Sequence, residues 1–234
     1  ESSGVSFNGL YFPNDSINPI DIDAKLSQFD LSFIQSFVDS TIVEIDGLAD
    51  AEIKITGTID NPQLFGTGVI KQGKLGIDYL RTSYFIEDRV WIEPDRFVFK
   101  DVQIKDENGS KGKLTGFIGH RAFSEWSFDV LADLEKEPMR VLNTTEWDNP
   151  DYYGKAFATG FFHLLGTTDN LGMSMALKTA AGTKLNLPMS GGEVDEFGQF
   201  IHFVSKKSTI LQENLPMDLS GISLDIQIDI TPEA

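Results

Sequence analysis

Apolar and polar residues alternate along much of this chain with a period of two. This is the pattern of a strand that is buried on one face and exposed to solvent on the other. The clearest run is Ile222–Ile230, where every even position is aliphatic and the positions between them are Ser, Asp or Gln. The alternation recurs at residues 20–26, 51–59, 75–79, 126–130 and 171–177. Little helical pattern separates these runs, so the sequence predicts an all-β protein whose sheet has one apolar face.

Turn-forming residues fall between the predicted strands. Gly, Asn, Asp or Pro mark residues 13–16, 60–62, 71–73, 106–109, 167–170 and 181–182, as in an antiparallel meander. Gly57, Gly116 and Gly160 lie within strand patterns, in similar motifs of the form apolar-Thr-Gly-x-apolar, and glycine there favours a sharp bend. We therefore predict one elongated, curled, antiparallel-rich sheet: a trough with an apolar concave groove, in a single domain over residues 1–234.

A single short helix is predicted near residues 30–38. Asp30 is a good N-cap residue, and four apolar residues after it share one helical face: Leu31, Ile34, Phe37 and Val38. A helix of about two turns would lay this stripe on the sheet as a plug or lid.

The apolar face needs a cover that so few helices cannot provide. Such a sheet either closes on itself or curls around an apolar molecule that is not part of the chain. The second hypothesis assigns this lining to the groove: Ile53, Ile55, Ile59, Leu75, Ile77, Phe97, Phe99, Ile118, Phe128, Val130, Leu171, Met173, Met175, Leu177, Ile222, Leu224, Ile226 and Ile228. Ordinary core packing explains each residue about as well, although flexible thioethers favour the groove for the methionines.

Composition narrows the choice of partners. The 234 residues include 19 Lys and Arg against 36 Asp and Glu, a formal charge of −17, which disfavours nucleic acid and anionic headgroups. There is no cysteine, so disulfides and thiolate zinc sites are excluded. No apolar run is long enough for a membrane-spanning helix, and the chain starts with neither a signal peptide nor methionine. We expect it to be a piece of a longer protein.

The serine and the histidines give weak signals for chemistry. Ser174, in Gly-Met-Ser-Met-Ala, lies mid-strand with no helix after it, unlike the nucleophile of a hydrolase elbow. His120, His163 and His202 are far apart in the sequence, and none has a second ligand at a metal-binding spacing. We therefore predict structural roles for all three histidines.

Acidic clusters give two further candidates. The corners at 106–109 and 148–151 lack the spacing of a calcium loop, and turn chemistry explains them. Glu193, Asp195 and Glu196 offer paired acids for glycoside hydrolysis, but in a glycine-rich segment with little to raise the pKa of a general acid. We predict a non-enzymatic protein with no catalytic residue, no metal and no cofactor. A carbohydrate-active or hydrolytic β-protein that uses these acids is the less favoured alternative.

Several ordered segments resemble the C-terminal conserved domain of TamB proteins, the translocation and assembly module subunits of Gram-negative envelopes, in the form found in Bacteroidetes-like bacteria. The likeness covers residues 29–189. It is carried by Ile77-Asp-Tyr-Leu-Arg-Thr-Ser-Tyr-Phe, Lys105-Asp-Glu-Asn-Gly-Ser-Lys-Gly-Lys-Leu-Thr-Gly-Phe-Ile-Gly-His-Arg-Ala-Phe, Val141-Leu-Asn-Thr-Thr, Tyr152-Tyr-Gly-Lys-Ala-Phe-Ala-Thr-Gly and Lys178-Thr-Ala-Ala-Gly-Thr-Lys-Leu-Asn-Leu-Pro.

This resemblance implies an AsmA-like periplasmic sheet protein, anchored in the inner membrane by another part of the full-length chain. It implies an outer-membrane barrel partner of the TamA kind and a role in outer-membrane biogenesis, through barrel-protein assembly, phospholipid transport between the membranes, or both. The expected ligands are phospholipid or acyl chains. The alternative is a chaperone whose open sheet edge pairs with the strands of unfolded outer-membrane barrel proteins.

Overall fold

The computed structural model describes residues 3–15, 17–37, 43–150, 152–188 and 222–232. Within these ranges the chain forms fourteen strands and two 3-10 helices, Leu31–Phe37 and Asp78–Leu80. The strands are β1 Gly4–Tyr11, β2 Ile20–Asp30, β3 Val43–Gly57, β4 Pro62–Ile77, β5 Thr82–Ile86, β6 Arg89–Glu93, β7 Arg96–Asp106, β8 Lys111–Arg121, β9 Ser124–Asp133, β10 Met139–Thr144, β11 Tyr153–Thr167, β12 Asn170–Thr179, β13 Lys184–Asn186 and β14 Ile222–Asp229.

All fourteen strands belong to one sheet. Its order is β1-β2-β3-β4-β5-β7-β8-β9-β11-β12-β14, and β10 and β13 also pair with β11. Strand β6 pairs with β4 and β7, so β5 and β6 share the position between those two longer strands. Every pairing is antiparallel except that of β12 with β14. The predicted all-β, antiparallel-rich fold is confirmed, and the curl of the sheet into a trough stays a prediction.

The register gives the sheet two distinct ends. Turns at 12–19, 58–61, 122–123 and 168–169 lie at one end, which we call the His120 end. The other end, which we call the β10 end, carries the turn at 107–109, the two 3-10 helices and β10. The strands therefore run between one end that consists of turns and another that also carries the 3-10 helices and β10.

Most of the predicted turns lie between consecutive strands, but the prediction of a turn at residues 71–73 was wrong. Residues 71–73 lie inside β4, where the register with β3 shifts between Asp46 and Leu48, and Gln72 has a φ of 52°. The segment is a β-bulge, whose residue preferences overlap with those of a turn.

Bulges in three strands coincide with breaks in the alternation. In each, successive residues of the apolar face are three apart rather than two, and the middle of the step holds a residue with positive φ. The three steps are Leu26 to Phe29 around Gln28, Ile70 to Gly73 around Gln72, and Phe99 to Val102 around Asp101. The extra residue keeps the later side chains on the same face as the earlier ones.

The predicted helix is present in a tighter form. Residues Leu31–Phe37 make a 3-10 helix rather than an α-helix, as is common for short isolated segments. The Asp30 carboxylate accepts a hydrogen bond from the Ser32 N–H at 2.8 Å, which agrees with the predicted N-cap. The helix lies beside β3, and Phe33 remains 58% exposed. Val38 lies outside the described residues.

Two glycines within strands permit close approach of the neighbouring strand. Gly116 of β8 and Gly160 of β11 have φ angles of 122° and 131°. A Cβ atom at Gly116 would lie 1.9 Å from the Asp129 carbonyl oxygen, and one at Gly160 would lie 2.0 Å from that of Ala176. These positions therefore accept only glycine without a shift of the backbone.

We expect Gly116→Ala and Gly160→Ala each to lower the free energy of unfolding by about 2–3 kcal/mol, because both force a side chain into a glycine-only conformation. Urea denaturation at neutral pH measures the change. Gly68→Ala is the matched control, since its Cβ would meet its nearest neighbour at an ordinary 3.6 Å. Equal stabilities for all three variants would contradict the prediction.

Candidate functional site

Cross-strand register places the apolar residues of successive strands on one face of the sheet. Residues directly opposite each other in a ladder project to the same side. Starting from Ile22, the partners along the first strands are Ile55 and Leu64. Farther along, Ile118 lies opposite Phe128. The same rule links every strand from β1 to β14, and we call the surface that these residues share the apolar face.

All predicted groove residues except Ile59 occupy positions on the apolar face. Ile59 lies in the turn between β3 and β4 at the His120 end, where it is 70% exposed. For Ile222 and Leu224 only the backbone register is described. Their pairing with Leu171 and Met173 continues the apolar face to β14.

The predicted groove residues on the apolar face are half-buried. Each predicted groove residue whose side chain is described, apart from Ile59, keeps partial exposure. Other apolar residues are buried, and most of them lie on the same face: Ala24, Ala51, Leu64, Val90, Ile92, Val102, Ile104, Leu134, Met139, Leu142 and Ala158. Away from the end that β10 covers, where Leu177 packs on a buried cluster, the partly exposed groove side chains are available for contact with an apolar ligand.

The opposite face carries cross-strand ion pairs, and we call it the polar face. Lys25 lies opposite Glu52 with their charged atoms 3.3 Å apart, and Lys71 contacts Asp50 at 2.5 Å. Exposed pairs of this kind contribute little stability, but they keep this face in water. Several aromatic or aliphatic side chains lie exposed among them: Leu10, Phe65, Val69, Phe85, Leu131, Phe161 and Leu165.

Strand β10 crosses the apolar face at one end. Tyr84, on the apolar face of β5, donates a hydrogen bond from its hydroxyl to the Arg140 carbonyl at 3.0 Å. The Arg140 N–H donates to the buried carboxylate of Asp106 at 2.8 Å. Next to it, Met139 is fully buried and forms a core cluster with Ile104 and Leu134. The β10 end of the apolar face is therefore covered, and Tyr84 and Asp106 are bonded to the backbone of β10.

An ion pair joins the loop after β10 to the segment between β4 and β5. Asp148, in the loop after β10, accepts hydrogen bonds from Thr145 and from the Arg81 side chain at 2.8 Å. The hydrogen bonds from Thr145 and the Arg81 guanidinium lower the pKa of Asp148 from 3.8 to about 2. The bonded turn holds Trp147 with 97% of its surface exposed.

A cluster of aromatic rings lies on the apolar face at the His120 end. The His120 ring stacks on Phe123 with centroids 4.5 Å apart and an interplanar angle of 13°. Phe97 and Trp126 pack on the same ring, at 5.4 and 5.6 Å. The histidine has the lining residue Ile118 two positions before it in β8. Sequence reasoning missed this cluster, although a histidine at an apolar position of the alternation was the signal.

The other candidates for chemistry lie apart from the apolar face or outside the described residues. Ser174 lies on the polar face opposite His163, which contacts Asp129 through Nε2 at 2.7 Å. A hydrolase triad uses the reverse arrangement, with the acid on Nδ1 and the nucleophile on Nε2, so this row fits a polar ladder better. The acids at 193–196 and His202 are outside the described residues.

The carboxylates of the two acidic corners accept hydrogen bonds from backbone groups of their own turns. The Asp106 carboxylate accepts hydrogen bonds from the backbone N–H groups of Asn108 at 2.8 Å and Ser110 at 2.9 Å. Asp148 bonds Thr145 in the same way. In the described ranges, no three His, Asp or Glu side chains come together as a metal site.

Two shallow hollows occur on the surface of the described residues. One, of about 370 Å³, is lined near β12 and includes Leu177 of the predicted groove residues. The other, of about 450 Å³, lies beside the turn that joins β1 to β2. Neither is an enclosed cavity, and both are lined mainly by residues of the polar face and of turns, so neither marks a pocket on the apolar face.

No protein-family model, no curated protein and no solved structure matches the chain. The resemblance to TamB proteins therefore stays a prediction from the segments quoted above. None of the helices in the described ranges has both the length and the apolar character needed to cross a bilayer.

We expect Asp148→Asn to lower the thermal midpoint at pH 7 but not at pH 2. A carboxyl whose folded pKa is depressed contributes stability above its unfolded pKa, near 3.8, and loses that contribution as the pH falls towards about 2. Thermal melts of wild type and variant across this range measure the effect. Asp169→Asn, in an exposed turn at the other end, is the control. A difference that persists unchanged at pH 2 would contradict the linkage.

Proposed function

We propose that this protein is a non-enzymatic periplasmic component of a TamB-like translocation and assembly module, whose apolar face binds phospholipid acyl chains during outer-membrane biogenesis. The observation that carries the proposal is the continuity of the apolar face across eleven successive strands, with many of its large side chains left half-buried. A soluble sheet that had only to fold would bury such side chains under a second layer.

Acyl chains suit this surface. Each methylene that leaves water for contact with the face contributes up to about 0.8 kcal/mol. Along β12, the apolar stripe from Leu171 to Leu177 extends about 20 Å at the usual rise per residue. Methionines in this stripe adapt to ligands of varied shape. The face thus offers an extended, non-specific track rather than a shaped pocket.

The charge distribution supports a choice among lipids. The chain has a formal charge of −17, and cross-strand ion pairs such as Lys25–Glu52 and Lys71–Asp50 lie on the polar face. This field disfavours anionic headgroups and nucleic acid and tolerates zwitterionic phospholipids. A barrel partner of the TamA kind and inner-membrane anchoring of the full-length protein belong to the same proposal, on the strength of the sequence resemblance.

A chaperone for unfolded barrel proteins is the second candidate, and strand β1 favours it. All eight residues of β1 are exposed, and among the described strands β1 pairs only with β2. A strand edge with free backbone groups binds extended peptides. Delipidated protein that captures barrel-strand peptides, yet takes up neither fatty acid nor phospholipid, would favour this candidate over the first.

We expect Met173→Arg to weaken the binding of a fluorescent fatty acid by at least about tenfold, because a charge on the apolar face must be desolvated when the acyl chain binds. Ser174→Arg is the matched control, one residue along β12 on the polar face, and should bind as wild type does. Fluorescence titration with parinaric acid measures both.

Native mass spectrometry of gently purified protein should show co-purified lipid on wild type and Ser174→Arg but not on Met173→Arg. Circular dichroism first establishes that both variants fold. Wild type without bound lipid, or equal lipid binding by Met173→Arg and Ser174→Arg, would contradict the proposal.

A further inference from the structure

We propose that His120 recognises the polar end of the bound acyl ligand, by donating a hydrogen bond from Nε2 to an acyl carbonyl or carboxylate oxygen. This inference rests on the proposed function and deepens it. It assigns to one end of the apolar face a site for an oxygen acceptor, whereas the rest of that face offers hydrocarbon contacts.

The hydrogen bonds of the ring identify which nitrogen carries the proton. Nδ1 of His120 accepts a hydrogen bond from the backbone N–H of Phe123 at 3.3 Å. In a neutral imidazole the other nitrogen then carries the hydrogen, so Nε2 is a donor. Nε2 is buried and has no acceptor among the described residues. A buried donor without an acceptor is unfavourable, so a ligand oxygen that reached Nε2, by displacing the partly exposed Phe123 ring, would be bound there.

Burial also sets the charge of this donor. Desolvation lowers the pKa of His120, and the nearby carboxylate of Asp95 opposes that shift only in part. The ring is therefore neutral at neutral pH. A neutral N–H suits an ester carbonyl or a carboxylate oxygen and does not create a general phosphate site.

The turn beside His120 is built at a conformational cost. Ala122 and Phe123 connect β8 to β9 in a two-residue hairpin turn, with φ angles of 48° and 60°. Turns of this kind normally use Asn-Gly, because other residues disfavour positive φ. Here the strained position places the Phe123 ring flat on the histidine, while 44% of that ring stays exposed. Functional sites are where such strain is usually retained.

The two ends of the apolar face differ in what they offer a ligand. At the β10 end, Tyr84 and Asp106 are already bonded to Arg140, and the covering strand lies over them. The remaining buried side-chain atoms without partners, in Thr82, Arg140 and Thr144, belong to that covered end. At the His120 end a partly exposed phenylalanine is the cover. An acyl chain on the apolar face would therefore place its oxygen-bearing end there.

His120→Phe is the test, since it keeps an aromatic ring and removes the donor. We measure the affinities of oleate, methyl oleate and 1-octadecene for the whole chain. We expect the variant to lose roughly three- to tenfold in affinity for the oxygen-bearing ligands, the contribution of one hydrogen bond, and nothing for octadecene. His163→Phe, on the polar face, is the control and should match wild type for all three ligands.

The possible results distinguish a failure of the His120 inference from a failure of the proposed acyl binding. Loss for oleate alone would assign the site to free fatty acids, and equal loss for the methyl ester would extend it to esterified lipids. Equal affinities of wild type and His120→Phe for every ligand would overturn the inference and leave acyl binding intact. Wild type that binds none of the three would overturn the proposed function itself.

A measurement on wild type covers the case in which His120→Phe fails to fold. The imidazole nitrogens, observed by 15N NMR, should show hydrogen on Nε2 in the free protein. Addition of oleate should shift the Nε2 resonance, whereas octadecene should not. Bound oleate that leaves the resonance unchanged would overturn the inference.

Discussion

The structure depends on the hydrophobic effect acting on a sheet to which the described residues add no second sheet and no α-helix. In most β-proteins another sheet or a helix covers the apolar side chains. Here the described residues supply only lateral neighbours on the same face and one crossing strand, β10. Fully buried large side chains are accordingly few, with Met139 and Val102 the largest. Ladder hydrogen bonds and side-by-side packing must then carry much of the stability.

Much of this architecture could be predicted because alternation acts at two levels. The same period that identifies a strand also decides which of its side chains meet those of the next strand, so Ile55, Ile118 and Met173 were assigned to a common face without knowledge of the pairing. The bulges in β2, β4 and β7 were not recognised, although each of these three coincides with a three-residue step in the pattern. The glycine in Lys71-Gln-Gly was taken for a corner because turns and bulges share their residue preferences.

The features missed from the sequence depend on partners that are distant along the chain. The passage of β10 over Tyr84 and Asp106 needs a loop to fold back, and no local pattern encodes that. The contact between His163 and Asp129 arises because β9 and β11 are neighbours while β10 intervenes in the sequence. The aromatic cluster around His120 combines β7, β8, β9 and a strained turn. Its only local sign was a polar residue where an aliphatic one was expected.

Strict alternation also constrains how such a protein can change length in evolution. Removing a single residue within a strand such as β12 would exchange its two surfaces from that point onward, and would present Ser174 where Met173 now lies. Removing two residues would preserve the phase and shorten the surface by one step. Relatives should therefore differ in strand length by even numbers, and odd differences should coincide with a gained or lost bulge.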